Sequence, residues 1–79
     1  MGDFKTLPEL KPGESGVIID IQGGAGLVRH IESLGIRVGK RITKISAQFW
    51  RGPQVIEVDN IRIALGFGMS RKVYVEVKK

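Results

Sequence analysis

The sequence predicts a mostly β domain: a small barrel of short strands with one short helix packed against it. Three observations carry that expectation. Short β-branched stretches such as Val17-Ile18-Ile19 and Val55-Ile56 recur between Gly, Pro, Asp and Asn punctuation, the pattern of strands joined by tight turns. Val73, Val75 and Val77 alternate with Tyr74, Glu76 and Lys78, the two-residue period of a half-buried strand. Helical spacing shows most clearly in one segment, where Leu27, Ile31 and Leu34 lie four and then three residues apart on one helical face.

In chain order, Thr6-Leu7-Pro8-Glu9-Leu10 reads as one helical turn capped by Thr6, with Pro8 in the first turn where a missing N–H costs little. Pro12-Gly13 signals a turn, and Val17 to Ile21 a strand bounded by glycines. Gly23-Gly24-Ala25-Gly26 opens the helix Leu27 to Leu34, whose polar face carries Arg29, Glu32 and Ser33 and whose border carries His30. Gly35 stands where a residue able to adopt positive φ stops a helix, and Val38-Gly39 turns the chain.

Ile42 to Phe49 reads as a strand, and the three-residue spacing of Ile42 and Ile45 predicts a bulge. Arg51-Gly52-Pro53 is a turn. Val55 to Val58 and Ile61 to Leu65 form a hairpin across Asp59-Asn60, residues that tolerate the left-handed backbone of a two-residue loop. Gly66 to Ser70 breaks the pattern before the last strand. Five short strands and one helix fit an SH3-like barrel, with an OB-type barrel as the alternative architecture.

Seventy-nine residues, 42% of them hydrophobic, make one globular domain over 1–79. With no Cys, neither a disulfide framework nor a thiolate metal site can form within the chain. No apolar run approaches the ~18–20 residues of a membrane span, and Met-Gly-Asp-Phe-Lys has no apolar signal-peptide core. A cytoplasmic protein without membrane insertion is the expectation. The net charge of +5 is divided unevenly: residues 1–36 hold three bases and five acids, and residues 37–79 ten bases and three acids. A basic half suits an anionic partner, and it equally suits a solvated strand surface protected from edge pairing.

Phosphate-binding signatures fail. Gly24-x-Gly26 lacks the third glycine of a dinucleotide loop, because position 29 is Arg. Gly39-Lys40 is preceded by Leu34 where a phosphate loop needs Gly, and Arg41 follows where it needs Ser or Thr. Nucleic-acid binding is not expected, since stacking platforms need clustered aromatics and only Phe49 and Trp50 adjoin. His30 is the single histidine, so a metal site would need Asp20 and a second subunit beside it. No serine with an adjacent base and no supported carboxylate pair suggests catalysis, so an enzyme is not expected. Trp50 and Arg51 occupy a hairpin tip and suit a binding anchor, with Arg29 and Arg37 on or just after the helix as further partner contacts.

The ordered series Leu7-x-x-Leu10-x-Pro12-Gly13-Glu14-x-Gly16-x-Ile18 and Leu27-x-x-x-Ile31-x-x-Leu34-Gly35-Ile36-x-Val38-Gly39 resembles the FeoA-like family. Gly52-Pro53 before Val55 and Val58, then Ile63-Ala64-Leu65-Gly66, and Val73-x-Val75 extend the resemblance over Leu7 to Val77. Ser70 departs from the Ala the family usually shows there. The resemblance implies an SH3-like barrel over core residues 7–77 and a non-catalytic accessory protein of ferrous iron uptake. Its implied partner is FeoB, a membrane transporter with a cytoplasmic GTP-binding domain. The same module ends certain iron-dependent repressors. A stand-alone domain that binds a transition-metal ion, Fe2+ or Zn2+, is the second functional expectation, and pairing of edge strands into a homodimer is a third possibility to test.

Overall fold

Among the described residues, six antiparallel strands surround a core to which every strand but the first contributes a buried side chain. A computed structural model describes residues 2–47 and 52–78. Strand β1 (Gly2–Thr6) leads into a 3₁₀ turn at Leu7–Glu9, followed by β2 (Ser15–Ile21) and helix α1 (Ala25–Ser33). Then come β3 (Arg41–Ala47), β4 (Gln54–Val58), β5 (Ile61–Leu65), the one-turn helix α2 (Phe67–Ser70) and β6 (Val73–Lys78). The strand order is β1-β6-β2-β3-β4-β5. Among the described residues β1 and β5 are unpaired edges, so the SH3-like sheet is open at that seam.

Alternation decides which side chains face inward. Val73 and Val75 of β6, Ile18 and Ile21 of β2, and Ile56 and Val58 of β4 are all buried. Ile42 and Leu65 join them from β3 and β5. Leu7 and Leu10 enter from the 3₁₀ turn, Ile31 from α1 and Ile36 from the segment after it. Burying a branched aliphatic side chain is worth roughly 1.5–3 kcal/mol, so this shared cluster is what makes elements of five to nine residues stable.

The structure has one strand more than the expected five. Gly2–Thr6 carries no apolar alternation, and β6 makes it a strand by pairing Gly2 with Lys78 through Thr6 with Tyr74. Helix α1 starts at Ala25, two residues before its first apolar residue, and Gly66–Ser70 contains the short helix α2 instead of a plain loop. The turn at Leu7–Glu9 is as expected, although it is Glu9 that caps it, accepting from the Thr6 N–H at 2.7 Å and the Thr6 hydroxyl at 2.9 Å.

The bulge expected near Ile45 is present, where the β3–β4 register slips between Lys44 and Ser46. A second slip, at Ile19 in the β2–β6 ladder, lets Ile18 and Ile21 both face the core although they stand three residues apart. Asp59 and Asn60 take φ of 53° and 66°, the left-handed pair that a two-residue hairpin needs.

Leu34 corrects the predicted apolar stripe. It caps the end of α1 and is 37% exposed, because Gly35 at φ +94° turns the chain away and Ile36 fills the core instead. Gly16 is required by close approach. A Cβ there would stand 2.8 Å from the Glu76 carbonyl oxygen on the neighbouring central strand. Gly16→Ala should therefore cost about 1–3 kcal/mol by forcing two paired strands apart. A thermal melt should show the midpoint falling by several degrees, and an unchanged midpoint would mean the sheet yields freely there.

Candidate functional site

Of the residues proposed for recognition, Arg29 lies on α1 and Arg37 in the turn that follows it. Gly24 precedes the helix and its carbonyl accepts from Val28 at 3.0 Å. At the other end the N–H groups of Leu34 and Gly35 bond to Ile31 and Glu32, closing the helix. Buried Ile36 then pins the chain to the core. Arg37 to Lys40 forms a β-turn closed by Lys40 N–H to Arg37 O at 3.1 Å. Ile18 holds this turn to β2, donating to the Lys40 carbonyl at 2.8 Å and accepting from Gly39 N–H at 2.7 Å. Val38 is left 59% exposed at the tip.

Arg29 and Arg37 are exposed, and neither makes an ion pair or side-chain hydrogen bond among the described residues. Lys40 is tied to Asp59 at 2.8 Å across the hairpin tip. Trp50 and Arg51, the other two expected anchors, lie outside the described residues.

The metal expectation finds no ligand set. Among the described residues no three His, Asp or Glu side chains converge. His30 is exposed on α1, and its carbonyl accepts from the Ser33 hydroxyl at 2.5 Å. Asp20 is engaged locally, accepting from the Ile21 N–H at 2.9 Å and from the Gln22 side-chain amide. The described residues of one chain therefore offer no ligand set for a transition-metal ion.

The remaining polar contacts hold turns and strands together. Ser15 bonds to Thr43 across β2–β3 at 2.8 Å. The Ser70 hydroxyl donates to Leu65 O at 3.0 Å and to Gly66 O at 2.9 Å, so this buried hydroxyl is satisfied where the resemblance leads one to expect Ala. Among the described residues no serine hydroxyl meets an imidazole or a carboxylate.

Sequence reasoning missed Lys44. Its side chain is fully buried, and its ammonium donates to Leu7 O at 2.9 Å and Leu10 O at 3.0 Å. Burial lowers its pKa from the ordinary 10.5, and the Glu14 charge opposes that shift. Glu14 itself is held below the usual carboxylate range, first by the Lys11 N–H it accepts at 2.9 Å and then by Lys5 at 3.1 Å. Its carbonyl accepts from the Lys44 N–H at 2.8 Å, and the Lys44 carbonyl accepts from the Gly13 N–H at 2.7 Å. A readable signal existed: Lys44 lies two residues from core Ile42 on the same strand face.

Comparison with known proteins agrees with this architecture. A family model described as the FeoA domain matches residues 5–77. A protein of Methanocaldococcus jannaschii named "Putative Fe(2+) transport protein A" is 33% identical over 66 residues, covering 84% of this chain and 78% of its own length. A crystal structure of an iron uptake regulatory protein, FeoA, superposes with a TM-score of 0.87 at 30% identity, over 94% of this chain and 97% of that one. Stenotrophomonas maltophilia FeoA complexed with zinc, described as an SH3 domain protein, shares the fold with a TM-score of 0.76 at 24% identity, over 90% and 88% of the two chains.

Proposed function

The chain belongs to the FeoA family, and from that premise we propose that it is a non-catalytic cytoplasmic accessory of ferrous iron uptake that binds a FeoB-type transporter by protein–protein contact. The contact would use the cytoplasmic, GTP-binding part of the transporter. The observation that carries this reading is the rigid turn after α1. It presents exposed Val38 beside Arg37, an arginine without a partner among the described residues, on a backbone fixed by Ile18 and Ile36. A preorganised apolar tip with an unpaired cation is suited to docking, since little ordering cost remains to be met on binding. Arg29, exposed on α1, adds a second cation without a partner among the described residues, and Trp50 and Arg51 would supply the anchor.

Association kinetics against the transporter's isolated cytoplasmic domain test the reading. Arg37→Glu should slow association several-fold at low ionic strength, and the difference should shrink in high salt, as steering by an exposed charge requires. Trp50→Ala should weaken affinity by at least ~1–2 kcal/mol in a folded protein. Folded variants that bind like the wild type would place the contact elsewhere. Zinc in the Stenotrophomonas maltophilia FeoA structure favours a second reading, a domain that responds to a transition-metal ion. Because the described residues of one chain hold no ligand set, that reading has His30 and Asp20 meet donors from another molecule, and metal titration of the isolated chain separates the two.

A further inference from the structure

We propose that the outer face of the β1-β6-β2-β3 sheet is a self-association surface on which two copies of this chain meet about a two-fold axis over Val17. The strand register places Phe4, Glu76, Val17 and Arg41 in one row across those four strands. Cross-strand partners share a face, and it is the outer one, because Val75 and Ile18 in the next row are fully buried. Phe4 is 67% exposed and Val17 37%. Tyr74, next but one to Glu76 on β6, extends the face.

The row alternates apolar, acidic, apolar, basic. Neither the Glu76 carboxylate nor the Arg41 guanidinium has an ion pair or hydrogen bond among the described residues. Both line a cavity of about 110 Å³ with Ser15, Gly16 and Val17. A partner of a single charge sign is attracted by one of these two groups and repelled by the other. A partner carrying the reversed pair satisfies both, and a second copy does so by symmetry. Rotation about an axis that runs over Val17 parallel to the strands lays each Arg41 on the other copy's Glu76 and sets Val17 against Val17.

Magnitudes set the strength. Four strands spaced about 4.8 Å apart give a face roughly 15 Å wide, which is small beside the ~800 Å² per partner of a standard interface. The chains also carry +5 each, although at 0.15 M salt that repulsion is screened beyond about 8 Å. The dissociation constant should therefore lie on the order of 100 μM to 1 mM.

Sedimentation velocity in 0.15 M salt, from about 20 μM to 2 mM protein, tests the proposal. The weight-average mass of the wild type should climb toward twice the monomer value. Arg41→Glu and Glu76→Arg should each stay monomeric, and the double variant, which keeps the wild-type net charge, should regain association to within about threefold in dissociation constant. Circular dichroism checks that each variant is folded. A wild type that is monomeric at 2 mM, single variants that still associate, or a folded double variant that does not would each overturn the proposal. If the wild type is monomeric while Arg41→Glu, and not Glu76→Arg, loses binding to an acidic protein, the face belongs to that partner and the two-fold contact is refuted.

Discussion

Lys44→Ala should lower the free energy of unfolding by about 3–5 kcal/mol, read as a fall in urea midpoint. Two losses add. Truncation removes a long, fully buried side chain and leaves a void in the core. It also takes a donor from Leu7 O and Leu10 O, the carbonyls at the start of the 3₁₀ turn and just past its end. Leu7 O retains the Leu10 N–H at 3.1 Å, so Leu10 O bears the larger loss. Against the 5–10 kcal/mol such a domain has available, the variant is close to unfolding. Lys44→Met keeps the volume and removes the buried charge, so its cost should be smaller, about 1–2 kcal/mol.

A pH scan separates the ammonium from its stem. The folded protein holds the Lys44 proton less tightly than the unfolded chain, whose lysine titrates at 10.5. Between the lowered folded value and 10.5 the unfolded state binds more protons, so wild-type stability should rise with pH in that window and be flat below it with respect to this group. Lys44→Met should lack that rise. Equal midpoints for wild type and Lys44→Ala would show that the turn stands without the lysine.

Ile31→Ala should cost about 2–5 kcal/mol. Ile31 is the fully buried residue of α1, with Leu27 and Val28 only partly covered against the core. Nine residues are too few for a helix to persist alone in water, so α1 exists because this side chain ties it to the sheet. Removing three carbons there should loosen the helix together with the Arg37–Lys40 turn that follows it. Leu34→Ala provides the contrast: at 37% exposure it should cost under about 1 kcal/mol. Equal urea midpoints for the two variants would show that the helix is anchored by some other residue.

The parts of the fold legible in the sequence are those governed by local chemistry. The Asp59-Asn60 loop, the stop at Gly35, the turn at Leu7–Glu9 and the bulge beside Ile45 each follow from a residue type at a fixed offset. The parts that were not legible depend on distant partners. Gly2–Thr6 becomes a strand because β6 offers it a ladder. Leu34 looked like core because helical spacing ignores where the helix stops. Lys44 looked like a surface cation because the two carbonyls it serves lie more than thirty residues away. At the candidate site, Arg29 and Arg37 are exposed and without partners among the described residues. His30 and Asp20 share no ligand cluster, which sequence separation alone could not decide.

The central claim is that this FeoA-family chain acts by binding a protein. Calorimetric titration of the purified chain against the cytoplasmic GTP-binding domain of a FeoB-type transporter tests it most directly, with Fe2+ and GTP titrated separately into the chain alone. The account predicts saturable heat with the transporter domain and none with GTP, because the sequence offers no phosphate loop. No heat with the transporter domain, together with saturable Fe2+ binding by the isolated chain, would contradict it.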